Sequence, residues 1–279
     1  MIDPVIDLHT HSNCSDGSLR PDELVRRAHA AGVHVLALTD HDTVAGLEVA
    51  RHEAQLVNIT FVPGVEISAS WRSQAVHVLG LWIDPESREL GQHLDAQIER
   101  RRERMRMICS RLNKLHLPGD ALLALVEAQP GVPTRAHLAE ALRAGGHVKS
   151  TDDAFRKYLG KGKSAHLAAA WPALAEVIAW ITGSGGVASL AHPSRYALSA
   201  RARRRLVEDF ASAGGGALEV ISGANGKQHA DASGILAMAC GLAGSVGSDF
   251  HSPLQTWNPL GRLAKLPSGV TPVWRAFGL

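Results

Sequence analysis

The chain has 279 residues, with 29 Lys and Arg against 27 Asp and Glu, three cysteines and fifteen histidines. A formal net charge of +2 excludes wrapping of long duplex nucleic acid, and Cys14, Cys109 and Cys240, odd in number and widely spaced, exclude a disulfide framework and a thiolate zinc site. No basic-then-apolar leader opens the sequence, and the most apolar stretch, ALAEVIAWITGSGGVASLA, is broken by Glu176 and a Gly/Ser cluster, so a soluble cytoplasmic protein without membrane contact is expected.

The first apolar run, VIDL, puts Val5, Ile6 and Leu8 in a buried parallel strand that stops at His9 and His11. Residues two apart in an extended chain point the same way, which aims both imidazoles into one small volume suited to a cation. Asp16 follows in the loop. RPDELVRRAHAAG reads as a helix with an apolar stripe at Leu24, Val25 and Ala28 and a stop at Gly32. VHVLALTDHD then ends at Asp40, His41 and Asp42, ITFVPGVEIS carries Glu66, and VHVLGLWID begins at His77. The alternation of strand and helix breaks between residues 98 and 165. There AQIERRRERMRMICSRLNKL has helical periodicity through Ile98, Met105, Ile108 and Leu112, and LPGD, QPGVPTR and AGGHVKS separate shorter helices. Its charge run, Glu99 to Arg106, reads as a solvated helix face. Beyond it come GVASLAHPSRY with His192, ALEVISGAN with Ser222 and Asn225, and AGSVGSDFHS with Asp249 and His251.

Seven apolar runs that each end in polar residues predict an α/β fold: a parallel sheet closed into a barrel, with its site on the C-terminal face. Residues 1–97 and 166–279 are expected to form the barrel and 98–165 an inserted helical domain. His9, His11, Asp16, His41, Glu66, His77, His192, Asp249 and His251 form one candidate metal set, because most fall at or just past strand ends. Imidazole and carboxylate without thiolate suit zinc, manganese or iron better than copper(I) or calcium. Nine ligands are too many for one ion, so two or three ions are expected, with Glu66 placed to bridge.

The series DLHTHSNCSDGS, ALTDHDT, PGVEIS, HVLG, LAHP and GSDFH resembles the PHP (polymerase and histidinol phosphatase) phosphoesterases over the whole barrel. The insert's GHVKSTDDAFRKYLGKGK is similar to the branch that holds bacterial 3′,5′-nucleoside bisphosphate phosphatases and 5′ to 3′ exoribonucleases. It differs at GKSAHLA, where that branch carries a proline and an aromatic near Ser164 and His166. The resemblance implies a distorted (β/α)7 barrel of PHP type with an inserted small helical domain. It also implies one ion on His9, His11, Glu66 and Asp249, a second on Glu66, His77 and His192, and a third on Asp16, His41 and His251. Manganese leads the expectation, with zinc, iron and magnesium as alternatives.

Phosphate esters resist hydrolysis because water is a weak nucleophile and the phosphoryl group repels negative charge; clustered divalent ions address both. His41 and His251 are the candidate proton donors to the leaving alkoxide. Arg135 and Arg195 have the fork that grips phosphate, and Ser194, Tyr196, Ser222 and Asn225 are candidate sugar or phosphate contacts. The leading expectation is removal of the 3′-phosphate from 3′,5′-nucleoside bisphosphates, with 5′ to 3′ cleavage of short 5′-phosphorylated RNA as the alternative. A silent metal-binding module and a histidinol phosphatase are weaker readings, the first because the ligand set is complete, the second because its substrate has no second phosphate for Arg135.

Overall fold

Short runs rich in β-branched and small residues form one sheet, whose strands lie side by side in chain order: β1 (Ile6–Asp7), β2 (Val35–Leu38), β3 (Thr60–Trp71), β4 (Gln74–Leu81), β5 (Val187–Leu190), β6 (Ala217–Ser222) and β7 (Ala243–Gly247). The structure, a computed structural model, describes residues 4–168, 170–223 and 226–279. The sheet curls until its edges meet: the Leu8 amide donates to the Val246 carbonyl at 2.9 Å, and Thr10 pairs with Phe250. Helices α1 (Pro21–Ala30), α2 (Leu47–Leu56), α7 (Leu174–Gly183), α8 (Ala200–Ser212) and α9 (Lys227–Ala239) surround it. Their apolar stripes, such as Leu24, Val25 and Ala28 on α1 or Leu206, Val207 and Phe210 on α8, are buried against the strands.

One expectation fails. The sheet is not all parallel, because β4 runs antiparallel to both β3 and β5. Only Arg72 and Ser73 separate β3 from β4, and a parallel crossover needs about a dozen residues or more. Reversal puts the start of β4, and so His77, at the same end of the barrel as the C-terminal ends of the other strands.

Helix α3 (Arg88–Lys114) is capped by the Ser87 hydroxyl, which accepts from the Leu90 amide at 3.4 Å. Leu90 and Leu94 join the barrel core, whereas Met105, Ile108, Cys109 and Leu112 belong to a separate core. That second core is completed by α4 (Gly119–Glu127), α5 (Arg135–Ala144), α6 (Thr151–Ala154) and the π-helical turn Phe155–Leu159. Residue 98 therefore falls inside an unbroken helix.

Candidate metal centre and cavity

His9 and His11 follow β1 and converge, with their Nε2 atoms 3.1 Å apart. Glu66 Oε2 lies 3.3 Å from each, and Asp249 Oδ1 lies 3.2 Å from each. The other oxygen, Glu66 Oε1, meets His77 Nδ1 at 3.0 Å and His192 Nε2 at 2.9 Å. His251 Nε2 stands 3.3 Å from Asp16 Oδ1, and His41 Nε2 stands 3.8 Å from Asp16 Oδ2. All nine residues of the expected set thus meet at one end of the barrel. His41 also faces Glu66: its Nδ1 lies 3.1 Å from Oε2, so it adjoins two of the three subsets.

The donor set fits divalent ions. His9, His11, Glu66 and Asp249 present two ring nitrogens and two carboxylate oxygens 3.1 to 3.3 Å from their neighbours, close to the spacing set by an ion with ligands about 2.0 to 2.2 Å away. His41 Nδ1 is buried and has no hydrogen-bond partner among the described residues, although Glu66 is beside it. Burial favours the neutral acid at Glu66, Asp16 and Asp249, but the surrounding imidazoles outweigh it and hold all three carboxyls well below the usual range. Burial pushes the His41 imidazole well below its ordinary value, toward the neutral form that ligates metals.

Several supporting residues escaped the sequence reading. Glu219 on β6 is buried, and its Oε1 accepts from His9 Nδ1 at 2.9 Å, which turns Nε2 toward the cluster; its Oε2 accepts the His192 amide at 2.5 Å. Asp7 accepts the Ser248 amide at 2.8 Å and ties β1 to β7, while burial pushes its carboxyl up to about 6. Asp40 takes the Ser12 amide at 2.7 Å and the Ser12 and Ser15 hydroxyls at 2.5 and 2.7 Å, fixing the loop that bears Asp16. Asp42, His192 and Asp249 hold left-handed backbone at φ 52°, 30° and 54°, a costly conformation that the surrounding bonds maintain. Gly247 has to be glycine, because an added Cβ would lie 2.2 Å from His9 Cβ.

A cavity of about 450 Å³ opens beside the cluster. Asp16, His41 and His77 line its barrel wall, and Arg104, Arg135 and Lys161 line its insert wall, with His166 just past the insert beside them. Arg101 and Trp171 also line it. The charge run on α3 is therefore only partly a solvated face. Glu99, Arg102, Glu103 and Arg106 pair on the surface, but Arg101 is buried, with Nε 2.5 Å from Asp42 Oδ2 and Nη2 2.8 Å from Ser68 Oγ. Arg104 donates to the Leu167 carbonyl, and burial with the neighbouring Arg135 and Arg101 pushes its guanidinium down to about 9.

The expected substrate contacts divide. Arg135 lines the cavity at the first position of α5, bonded only weakly to the Leu159 carbonyl at 3.4 Å. Arg195 instead pairs with the Asp249 Oδ2 carboxylate oxygen. Tyr196 is a correction: its buried hydroxyl donates to the Ala191 carbonyl at 3.0 Å and accepts the His77 amide at 2.8 Å, so it ties β4 to the loop after β5. Ser222 is buried at the C-terminal end of β6 and is not among the residues that line the cavity. Ser194 is half-buried in the turn Pro193–Arg195, outside the cavity lining, and Asn225 lies outside the described residues.

The sequence profile of the PHP domain matches residues 7–161, which begin just before His9 and run to the insert wall of the cavity. The chain belongs to the PHP domain family. Within that family it is 41% identical over 275 residues to the 5′-3′ exoribonuclease Rnm of Salmonella typhimurium, covering 98% of this chain and 94% of the relative. It is 39% identical over 272 residues to the 3′,5′-nucleoside bisphosphate phosphatase of Chromobacterium violaceum, covering 97% and 95%. A solved structure described as an amidohydrolase from Chromobacterium violaceum, with sulfate bound and no metal, superposes on this PHP chain with a TM-score of 0.92 at 38% identity, covering 98% of this chain and 96% of that one.

Proposed function

We propose that this PHP protein is a metal-dependent phosphomonoesterase that removes the 3′-phosphate from 3′,5′-nucleoside bisphosphates, such as 3′,5′-adenosine bisphosphate to AMP and phosphate. The observation that carries the proposal is a single cavity with a metal-ligand wall on one side and the Arg104 and Arg135 wall on the other. A nucleotide with a phosphate at each end of its ribose spans the two. The bisphosphate phosphatase relative supports this choice.

His9, His11, Glu66 and Asp249 would hold one ion, Glu66, His77 and His192 a second, and Asp16, His41 and His251 a third. Manganese is the first choice for this thiolate-free set, with zinc, iron or magnesium as alternatives. When bound, divalent ions neutralise phosphoryl oxygens and acidify water. Arg135 grips the 5′-phosphate and sets the depth at which the 3′-phosphate sits. The ribose 3′ oxygen takes its proton from His41 or His251, whichever of the two is not firmly holding an ion; His41 lines the cavity. Residues 98–165 act as the substrate-capping module, because their helices carry Arg104 and Arg135, and the turn after Leu159 carries Lys161, to the cavity.

The second reading is 5′ to 3′ cleavage of short 5′-phosphorylated RNA, in which the same arginine wall grips the 5′-phosphate; the exoribonuclease relative supports it. Both activities suit a reducing cytoplasm, in keeping with the free thiols of Cys14, Cys109 and Cys240. The test is phosphate release from 3′,5′-adenosine bisphosphate and mononucleotide release from a 5′-phosphorylated dinucleotide, before and after chelation and with manganese restored. Release from the bisphosphate that stops on chelation and returns with manganese is expected. Full activity in metal-stripped protein would refute the mechanism.

A further inference from the structure

The insert wall carries more positive charge than one phosphate monoester uses. Arg104, Arg135 and Lys161 line it, and among the described residues none of the three is paired with a carboxylate. Among the described residues the two arginines donate N–H groups only to the Leu167 and Leu159 carbonyls, out of five donors each. The neighbouring cation Arg101, by contrast, is held by Asp42. The unbalanced charge reaches His166 beside that wall, whose imidazole burial lowers and whose protonation Arg135, Arg104, Arg111 and Lys161 further oppose. The first turn of α5 adds to the field, since Thr134, Arg135 and Ala136 all face the cavity at the positive end of that helix.

Room is present as well as charge. A second cavity of about 480 Å³ shares Arg104, Ala168 and Trp171 with the first; Met107, Leu167 and Ala170 continue its lining, and Glu99 and Glu103 on α3 make its far side acidic, so it suits the uncharged part of a diphosphate ester and not a further phosphate. A group that extends past Arg104 therefore meets open space and not packed core.

We propose that the insert wall is a subsite for a second phosphoryl group at the 5′ end of the substrate, so that 3′-phosphonucleoside 5′-diphosphates and their esters are taken as well as 3′,5′-bisphosphates. This rests on the phosphomonoesterase reading. A 5′-monophosphate brings at most about two negative charges to three cations, and a terminal diphosphate brings about three. In the reaction a water oxygen bonds to the 3′ phosphorus, the bond from that phosphorus to the ribose 3′ oxygen breaks, the ribose oxygen takes a proton, and inorganic phosphate leaves. The 5′-diphosphate is unchanged.

The test pairs binding with turnover. Calorimetric titration of AMP and ADP into the manganese-loaded protein should show ADP binding at least tenfold more tightly. The exposed Lys161 should be decisive: in Lys161→Ala that ratio should fall toward one. Equal or weaker binding of ADP overturns the proposal. So does a ratio that persists in Lys161→Ala, because the preference would then come from chelation of the ions. In turnover, phosphate release from adenosine 3′-phosphate 5′-diphosphate should match or exceed that from 3′,5′-adenosine bisphosphate in kcat/KM. Release from the bisphosphate alone overturns the proposal and leaves the phosphatase reading standing, whereas release from neither overturns both.

Discussion

The two carboxylate oxygens of Glu66 serve different imidazoles: Oε2 lies within 3.3 Å of His9, His11 and His41, and Oε1 within 3.0 Å of His77 and His192. Asp16 meets only His41 and His251 among the described ion pairs. Replacing Glu66 with Gln should therefore reduce kcat/KM more than replacing Asp16 with Asn, measured on one bisphosphate at saturating manganese; equal losses would show that Glu66 does not bridge. Arg135 is tested by substrate choice. A charge-assisted hydrogen bond is worth about 1.5 to 3 kcal/mol, so Arg135→Ala should lower kcat/KM for a 3′,5′-bisphosphate by roughly one to two orders of magnitude. On an aryl phosphate, which has no second phosphate, the same variant should act nearly as wild type. Lysine at 135 should restore only part of the loss, because it lacks the planar fork.

The buried face of α3 follows the spacing Leu90, Leu94, Gln97, Arg101, Met105, with two polar residues inside an otherwise apolar stripe. The Gln97 side-chain amide donates to the Ser68 carbonyl at 2.8 Å, and Arg101 holds Asp42, the residue after His41. Removing one partner of a buried ion pair leaves the other charge stranded, at a cost of about 3 to 5 kcal/mol. Arg101→Met should lower the unfolding midpoint in urea accordingly, and the double variant Arg101→Met with Asp42→Asn should recover much of the loss. No recovery would mean that the pair is not coupled. Elements of this kind explain what was legible. His9 and His11 are legible as ligands because Asp249 and His251 repeat their spacing and the other strand ends supply His41, Glu66, His77 and His192. Glu219 did not, since ALEVIS reads as ordinary strand and its partner His9 lies 210 residues away. Arg101 and Arg104 were hidden by the charged neighbours that do face water. The direction of β4 was available in principle, from the two residues between Trp71 and Gln74, but the regular strand–helix rhythm elsewhere overrode it.

For the molecule as a whole, the barrel was readable because polar residues recurred at the ends of apolar runs, whereas the cavity arises only when the insert meets the barrel. Ions that bind the folded chain stabilise it by mass action, by about 2.7 kcal/mol at one hundred times their dissociation constant. For a protein of this size that should raise Tm by several degrees, and chelation should lower it in the same calorimetric trace. An unchanged Tm would argue against resident ions. Helix α3 joins the two cores without a break over 27 residues, about 40 Å at 1.5 Å per residue. An unbroken helix offers no hinge. The gap between the ligand wall and the arginine wall is thus a fixed gauge, and on the phosphatase reading proposed above substrates would be sorted by the span between their phosphates.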